Sequence, residues 1–162
     1  MKRRFCGGFT LLEVLVVVVI AVLVVVAAVP AYKKTQEKNR YMAAQGVLMD
    51  LANGVRMVKA EYPSLTTNAI QVTGNDASSD PDPTSNNLVG WMMSNKYISQ
   101  IEFDNQAYMR YKFSISTNEN ANCNQTGISC EHTGAVACMS GSNEIAEYTC
   151  AWVDNQGDLH NN

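Results

Sequence analysis

From Val14 to Val29 the chain carries sixteen consecutive apolar residues, ten of them valine, and this run decides more about the fold than any other stretch. In water, valine's branched side chain favours strands, but lipid offers the backbone no hydrogen-bond partner, so only a helix satisfies every N–H and C=O internally. Extended to Phe9 and Ala31, such a helix spans about 35 Å, enough to cross a bilayer. One charge breaks the pattern. Glu13 sits at the start of the apolar stretch, and no other charged side chain follows until Lys33. A carboxylate placed inside a membrane segment is costly unless it finds a partner, so it reads first as functional.

The 162 residues suffice for this anchor and one further domain of roughly 100 residues. The formal charge of -3 hides an asymmetry. Lys2, Arg3 and Arg4 precede the apolar run, Lys33, Lys34, Lys38 and Arg40 follow it, and from Tyr41 onward five basic residues face thirteen acidic ones. A basic collar beneath an acidic head does not have the form of a nucleic-acid clamp, although the sequence leaves nucleic acid undecided as a partner.

Cys6 stands alone before the run, whereas Cys123, Cys130, Cys138 and Cys150 cluster in the last quarter. An even set crowded into a small domain points to two disulfides and an oxidising compartment. Paired CxxC knuckles, the usual mark of a structural zinc site, are missing, so neither a metal nor another cofactor is expected. Three pairings are open, with the local arrangement Cys123 to Cys130 and Cys138 to Cys150 mildly preferred.

Basic residues flank the run on both sides, so charge alone does not orient it. Long downstream domains translocate largely regardless of charge, and the cysteines favour an oxidising side. Residues 1–8 are therefore expected in the cytosol and the chain beyond Lys33 outside. A cleavable secretory signal and a plain single-span anchor are the simpler readings. The first fits poorly because the run exceeds the usual apolar length of a signal and Pro30 precedes the candidate cut; both leave Glu13 without a purpose.

The residues Gly8-Phe9-Thr10-Leu11-Leu12-Glu13, followed by the apolar run and Pro30-Ala31-Tyr32, closely resemble the class III signal and first helix of type IV pilins and of the pseudopilins of type II secretion. The resemblance covers roughly residues 7 to 32. It implies a prepilin peptidase that cuts between Gly8 and Phe9 and methylates the new amino terminus, removing Cys6 and three positive charges with the leader. It also implies a helical homo-oligomeric filament in which Glu13 meets the Phe9 amine of a neighbour, with an assembly ATPase and an inner-membrane platform protein as partners. The subunit would rest as a single-pass protein among inner-membrane lipids, then leave for an extracellular filament. Where the family often has glycine this chain has Val22, which leaves Pro30 as the expected helix break. Thr10 is expected either to help satisfy the Glu13 region or to act as a simple helix cap.

The expected fold is α+β: a long N-terminal helix packed on a small antiparallel sheet, with a disulfide-stapled C-terminal region. Its parts are a leader over 1–8, a membrane and filament-core helix over 9–32, and a head over 33–162. Ala44, Val47, Leu48, Leu51, Val55 and Val58 recur at helical spacing, so the amphipathic half should run over about 33–60, until Tyr62-Pro63. Gly46 and Gly54 there permit a bend or close packing. Residues 63–87 read as a polar surface connection, Leu88 to Ile98 as a short helical turn, and 106–155 as the sheet. Strands are expected at Tyr111 to Ile115, near Gly134 to Met139 and near Ile145 to Val153, the last presenting Ala146, Tyr148, Cys150 and Trp152 on one side. Asp76, Asp80 and Asp82, or Asp154 with Asp158, offer carboxylates to calcium, which some pseudopilins bind in this part of the chain, but neither cluster matches an EF-hand and both read first as solvated turns; His132 and His160 read as surface residues. Asn124-Gln125-Thr126 is a weak glycosylation sequon. No nucleophile motif, phosphate loop or acid/base pair stands out, so no enzyme is expected. A pseudopilin, a minor pilin or a non-assembling anchored or secreted binding protein are the alternatives. Adhesion, twitching motility, DNA uptake and conduction depend on head-surface details that the sequence does not specify.

Overall fold

The computed structural model describes residues 9–72, 88–101, 110–142 and 145–161. The chain is α+β and divides between Gln36 and Glu37 into two units. Helix α1, Leu11–Glu61, passes through both. In the first unit the large apolar side chains from Phe9 to Val29 are all exposed, from 44% at Val16 to 84% at Leu11. Such a surface is not stable in water and calls for lipid or another apolar partner. Pro30 lies inside α1, and in this single chain the helix continues through it. Proline supplies no N–H to the carbonyl one turn earlier, yet its fixed φ is helical, so one lost bond does not end a long apolar helix.

In the second unit the helical spacing of apolar residues becomes a buried face. Ala44, Leu48, Leu51, Ala52, Val55 and Val58 have no measurable exposure and share one core with sheet residues Phe113, Ile115, Ala137, Met139, Ala151 and Val153. The strands are β1 (Ile70–Val72), β2 (Tyr111–Ile115), β3 (Ala135–Gly141), β4 (Cys150–Asp154) and β5 (Leu159–Asn161). They pair antiparallel in sequence order, which needs no crossover. Pairing Phe113 with Met139 and Met139 with Ala151 puts these residues on the core face. The alternate row, Ser114, Cys138, Trp152 and His160, lies on the opposite face.

Polar contacts fix α1 against this sheet. The Tyr41 hydroxyl donates to the Cys150 carbonyl at 2.9 Å, and Lys59 Nζ lies 2.9 Å from Glu119 Oε1. Glu37 is buried and takes Arg40 at 2.8 Å and Arg110 at 3.2 Å, so its charge is compensated. Short helix α2, Leu88–Ser94, packs its Met92 near Gly54 of α1. A methyl at Gly54 would run into Ile98 and sit 3.2 Å from the Met92 sulfur, so this glycine serves close packing. Gly46 is exposed with open space around it and has no such role.

Several expectations change. Within the expected 63–87 connection, Ile70–Val72 is a strand that pairs with β2; residues 73–87, including Asp76, Asp80 and Asp82, lie outside the described residues. The last expected strand starts at Cys150, because Ala146–Tyr148 forms a 3-10 turn, so Ala146 and Tyr148 do not share its face. The sheet continues past 155 into β5. The Asp154 carboxylate makes this possible: one oxygen accepts the backbone N–H groups of Gln156, Gly157 and Asp158, each at 2.9 Å, and closes the turn. Gly157 supplies the left-handed φ of 96° that the turn requires.

Candidate assembly site and the stapled face

At the start of α1 the chain follows the pattern Thr-x-x-Glu of a capping box. Thr10 precedes the helix, and its hydroxyl oxygen accepts the Glu13 backbone N–H at 3.3 Å. The capping role of Thr10 is therefore realised. Glu13 lies in the first turn, where the helix macrodipole favours negative charge. Among the described residues its carboxylate has no hydrogen bond or ion pair. Phe9, four residues earlier, is 77% exposed, and Gly8 lies outside the described residues. The site thus consists of an acidic group at the head of the apolar stretch of α1.

In the second unit, the cysteines pair as Cys123 with Cys138 and Cys130 with Cys150, with Cα separations of 6.5 Å and 6.0 Å. This corrects the preferred local pairing. Cys138 stands opposite Trp152, and Cys150 stands opposite Ser140, so Cys138 and Cys150 are diagonal neighbours on adjacent strands. Diagonal pairs lie about 7–8 Å apart, beyond the reach of a disulfide. Each strand cysteine is instead joined to one in the 116–134 region. The sequon asparagine, Asn124, lies in the 3-10 turn Cys123–Thr126, where the Thr126 hydroxyl donates to the Cys123 carbonyl.

The two histidines flank Trp152. His132 stacks on the indole at 4.6 Å between ring centroids and His160 at 5.3 Å. His160 is exposed, as expected of a surface residue, and its Nε2 donates to Asp154 Oδ2 at 2.9 Å. That hydrogen bond, assisted by the backbone N–H groups of the turn, holds the Asp154 carboxyl below its ordinary value. This is a turn stabilised by side chains, with the Asp154 oxygens already engaged. His132 departs from the surface expectation: it is half-buried, and both ring nitrogens are buried without a hydrogen-bond partner among the described residues. Nothing in its local sequence signals this, since the stack depends on the register that brings Trp152 beside it.

Desolvation, and secondarily the proximity of His160, lowers the His132 pKa from its ordinary 6.5. The neutral imidazole is therefore favoured by folding. Its contribution is fully present above the unfolded value and is lost as pH falls through the lower folded value. The head is expected to lose stability on acidification below pH about 6.5, and His132→Phe to flatten that dependence. NMR titration of the imidazole checks this; a midpoint at or above the unfolded value contradicts it.

No curated protein and no solved structure matches the chain. Residues 3–29 match the model of the prokaryotic N-terminal methylation motif. That motif and the long apolar helix fit membrane insertion. The chain thus carries the class III signal of type IV pilins and pseudopilins, which supports a precursor of that kind.

Proposed function

We propose that this chain is the structural subunit of a type IV pilus-like surface filament. It is made as a membrane-inserted precursor with residues 1–8 in the cytosol, cut between Gly8 and Phe9 by a prepilin peptidase, and methylated at Phe9. An assembly ATPase and a membrane platform protein then move it from lipid into the filament. The observation that carries this reading is the unpaired Glu13 on an apolar helix whose large side chains are exposed throughout.

The physics is an exchange. Stem side chains leave lipid for equally apolar neighbours, so packing and polar pairing must supply the gain, and extraction needs a motor. The stem is nearly uniform in valine, leucine and alanine, so apolar contacts barely distinguish one axial offset from the next. A carboxylate that must meet an amine selects one offset. Pro30, inside the helix, marks the place where such a stem could adjust on packing. The role is architectural. The two cystine staples in the head favour an exposed filament over a pseudopilin that stays in the envelope, since they resist unfolding outside the cell.

Mass spectrometry of the protein purified from membranes tests the maturation step. A chain that begins at methylated Phe9 is expected. Retention of Met1, or a start at Tyr32, contradicts the reading and favours an anchored or secreted binding protein.

A further inference from the structure

The stapled face holds a set of groups that filament assembly does not use. A ring nitrogen of His132 and the Sγ atoms of Cys123 and Cys138 all lie within 4.8 Å of one another. Cys138 belongs to the sheet row that also presents Trp152, Cys123 belongs to the 3-10 turn, and His132 is held by its stack on Trp152. Three separate pieces of chain therefore converge. Both His132 nitrogens are buried and unpartnered among the described residues, a condition that is rare in folded proteins and calls for an explanation. Hydrogen bonding among the described residues does not give one.

A neutral imidazole beside two sulfurs is a Cys2His ligand set, suited to thiophilic cations. Metal–sulfur bonds of about 2.3 Å and metal–nitrogen bonds of about 2.0 Å in a tetrahedron place the ligand atoms roughly 3.5–3.8 Å apart. The three ligand atoms already lie within 4.8 Å of one another, and the two sulfurs reach that spacing by moving apart once their bond is broken. We propose that Cys123, His132 and Cys138 form a site for a thiophilic cation such as Zn2+, available when the bond between Cys123 and Cys138 is reduced.

The chemistry balances with a dithiol reductant. Exchange breaks the bond between the two Sγ atoms, closes the reductant's own disulfide, and leaves two thiols on the chain. Binding the cation then releases both thiol protons and forms two metal–sulfur bonds, while His132 contributes a lone pair and a fourth position stays open for water. Disulfide and metal are alternative occupants of one place. Cys130 and Cys150 belong to no such group of three ligands among the described residues, which makes them an internal control.

The test uses the full chain in detergent, reduced with a phosphine without oxygen and titrated with Co2+ as an optical probe. One cation per chain with thiolate-to-cobalt charge transfer is expected, displaced by Zn2+. Cys123→Ser should abolish it, His132→Ala should weaken binding roughly tenfold or more, and Cys150→Ser should leave it. If reduction unfolds the head by circular dichroism, refolding on adding the cation supports the site, and failure to refold overturns it. Absence of binding in the reduced chain, equal binding in the oxidised chain, or equal loss in Cys150→Ser also overturns it. None of these outcomes depends on filament assembly.

Discussion

Glu13→Val is expected to leave the precursor inserted and cut after Gly8, while lowering the yield of surface filaments roughly a hundredfold or more. Valine fits the apolar stem, so insertion does not suffer. The scission bond lies five residues away and keeps its own residues. What is lost, on the proposed pairing, is the group that would answer a neighbour's Phe9 amine, and removing one partner of a buried pair leaves the other charge uncompensated. In the proposed filament that penalty would recur at every subunit interface, so long polymers are expected to fail even when a single contact could be tolerated. Filament counts by electron microscopy, with immunoblots of processed subunit in the membrane, separate assembly from maturation. Abundant normal filaments from the variant would refute the role assigned to Glu13.

Removing the Cys130–Cys150 bridge by double replacement with serine is expected to destabilise the head by about 3 kcal/mol, the chain-entropy value for a loop closed across its sequence separation of 20. For a head of this size the shift in Tm is about 10–20 °C. Thermal unfolding followed by circular dichroism measures it; a shift of a degree or two contradicts the staple's role. Proteolysis under non-reducing conditions should release peptides linked as Cys123–Cys138 and Cys130–Cys150. Peptides linking Cys123 to Cys130 would return the pairing to the local arrangement and undo the register argument.

Much of the architecture was legible because periodicity reports burial. Ala44, Leu48, Leu51, Val55 and Val58 of α1, with Val47 partly buried beside them, and the alternation of Tyr111, Phe113 and Ile115 both named faces that the structure buries. The short edge strands escaped notice for a physical reason. Ile70–Val72 and Leu159–Asn161 are three residues each, too short to show a period, and β5 is exposed throughout. The Asp154-x-x-Gly157 turn was the available signal for β5, since an aspartate that caps three backbone N–H groups before a left-handed glycine returns the chain on itself.

The two sites differed in the same way. The candidate assembly site lies within six consecutive residues, Gly8 to Glu13, so its proposed chemistry is written in local order. The stapled face draws Cys123, His132, Cys138, Cys150 and Trp152 from separate segments, and only strand register says which of them meet. The cysteine spacing alone favoured neighbours in sequence, whereas the sheet places Cys138 and Cys150 on a diagonal that no disulfide spans.

The most direct measurement is a cryo-electron microscopy structure of filaments sheared from the cell surface. These filaments are expected to contain this chain beginning at Phe9, with each terminal nitrogen within about 4 Å of the Glu13 carboxylate of an adjacent subunit. A filament in which Glu13 meets only its own chain, or solvent, would contradict it.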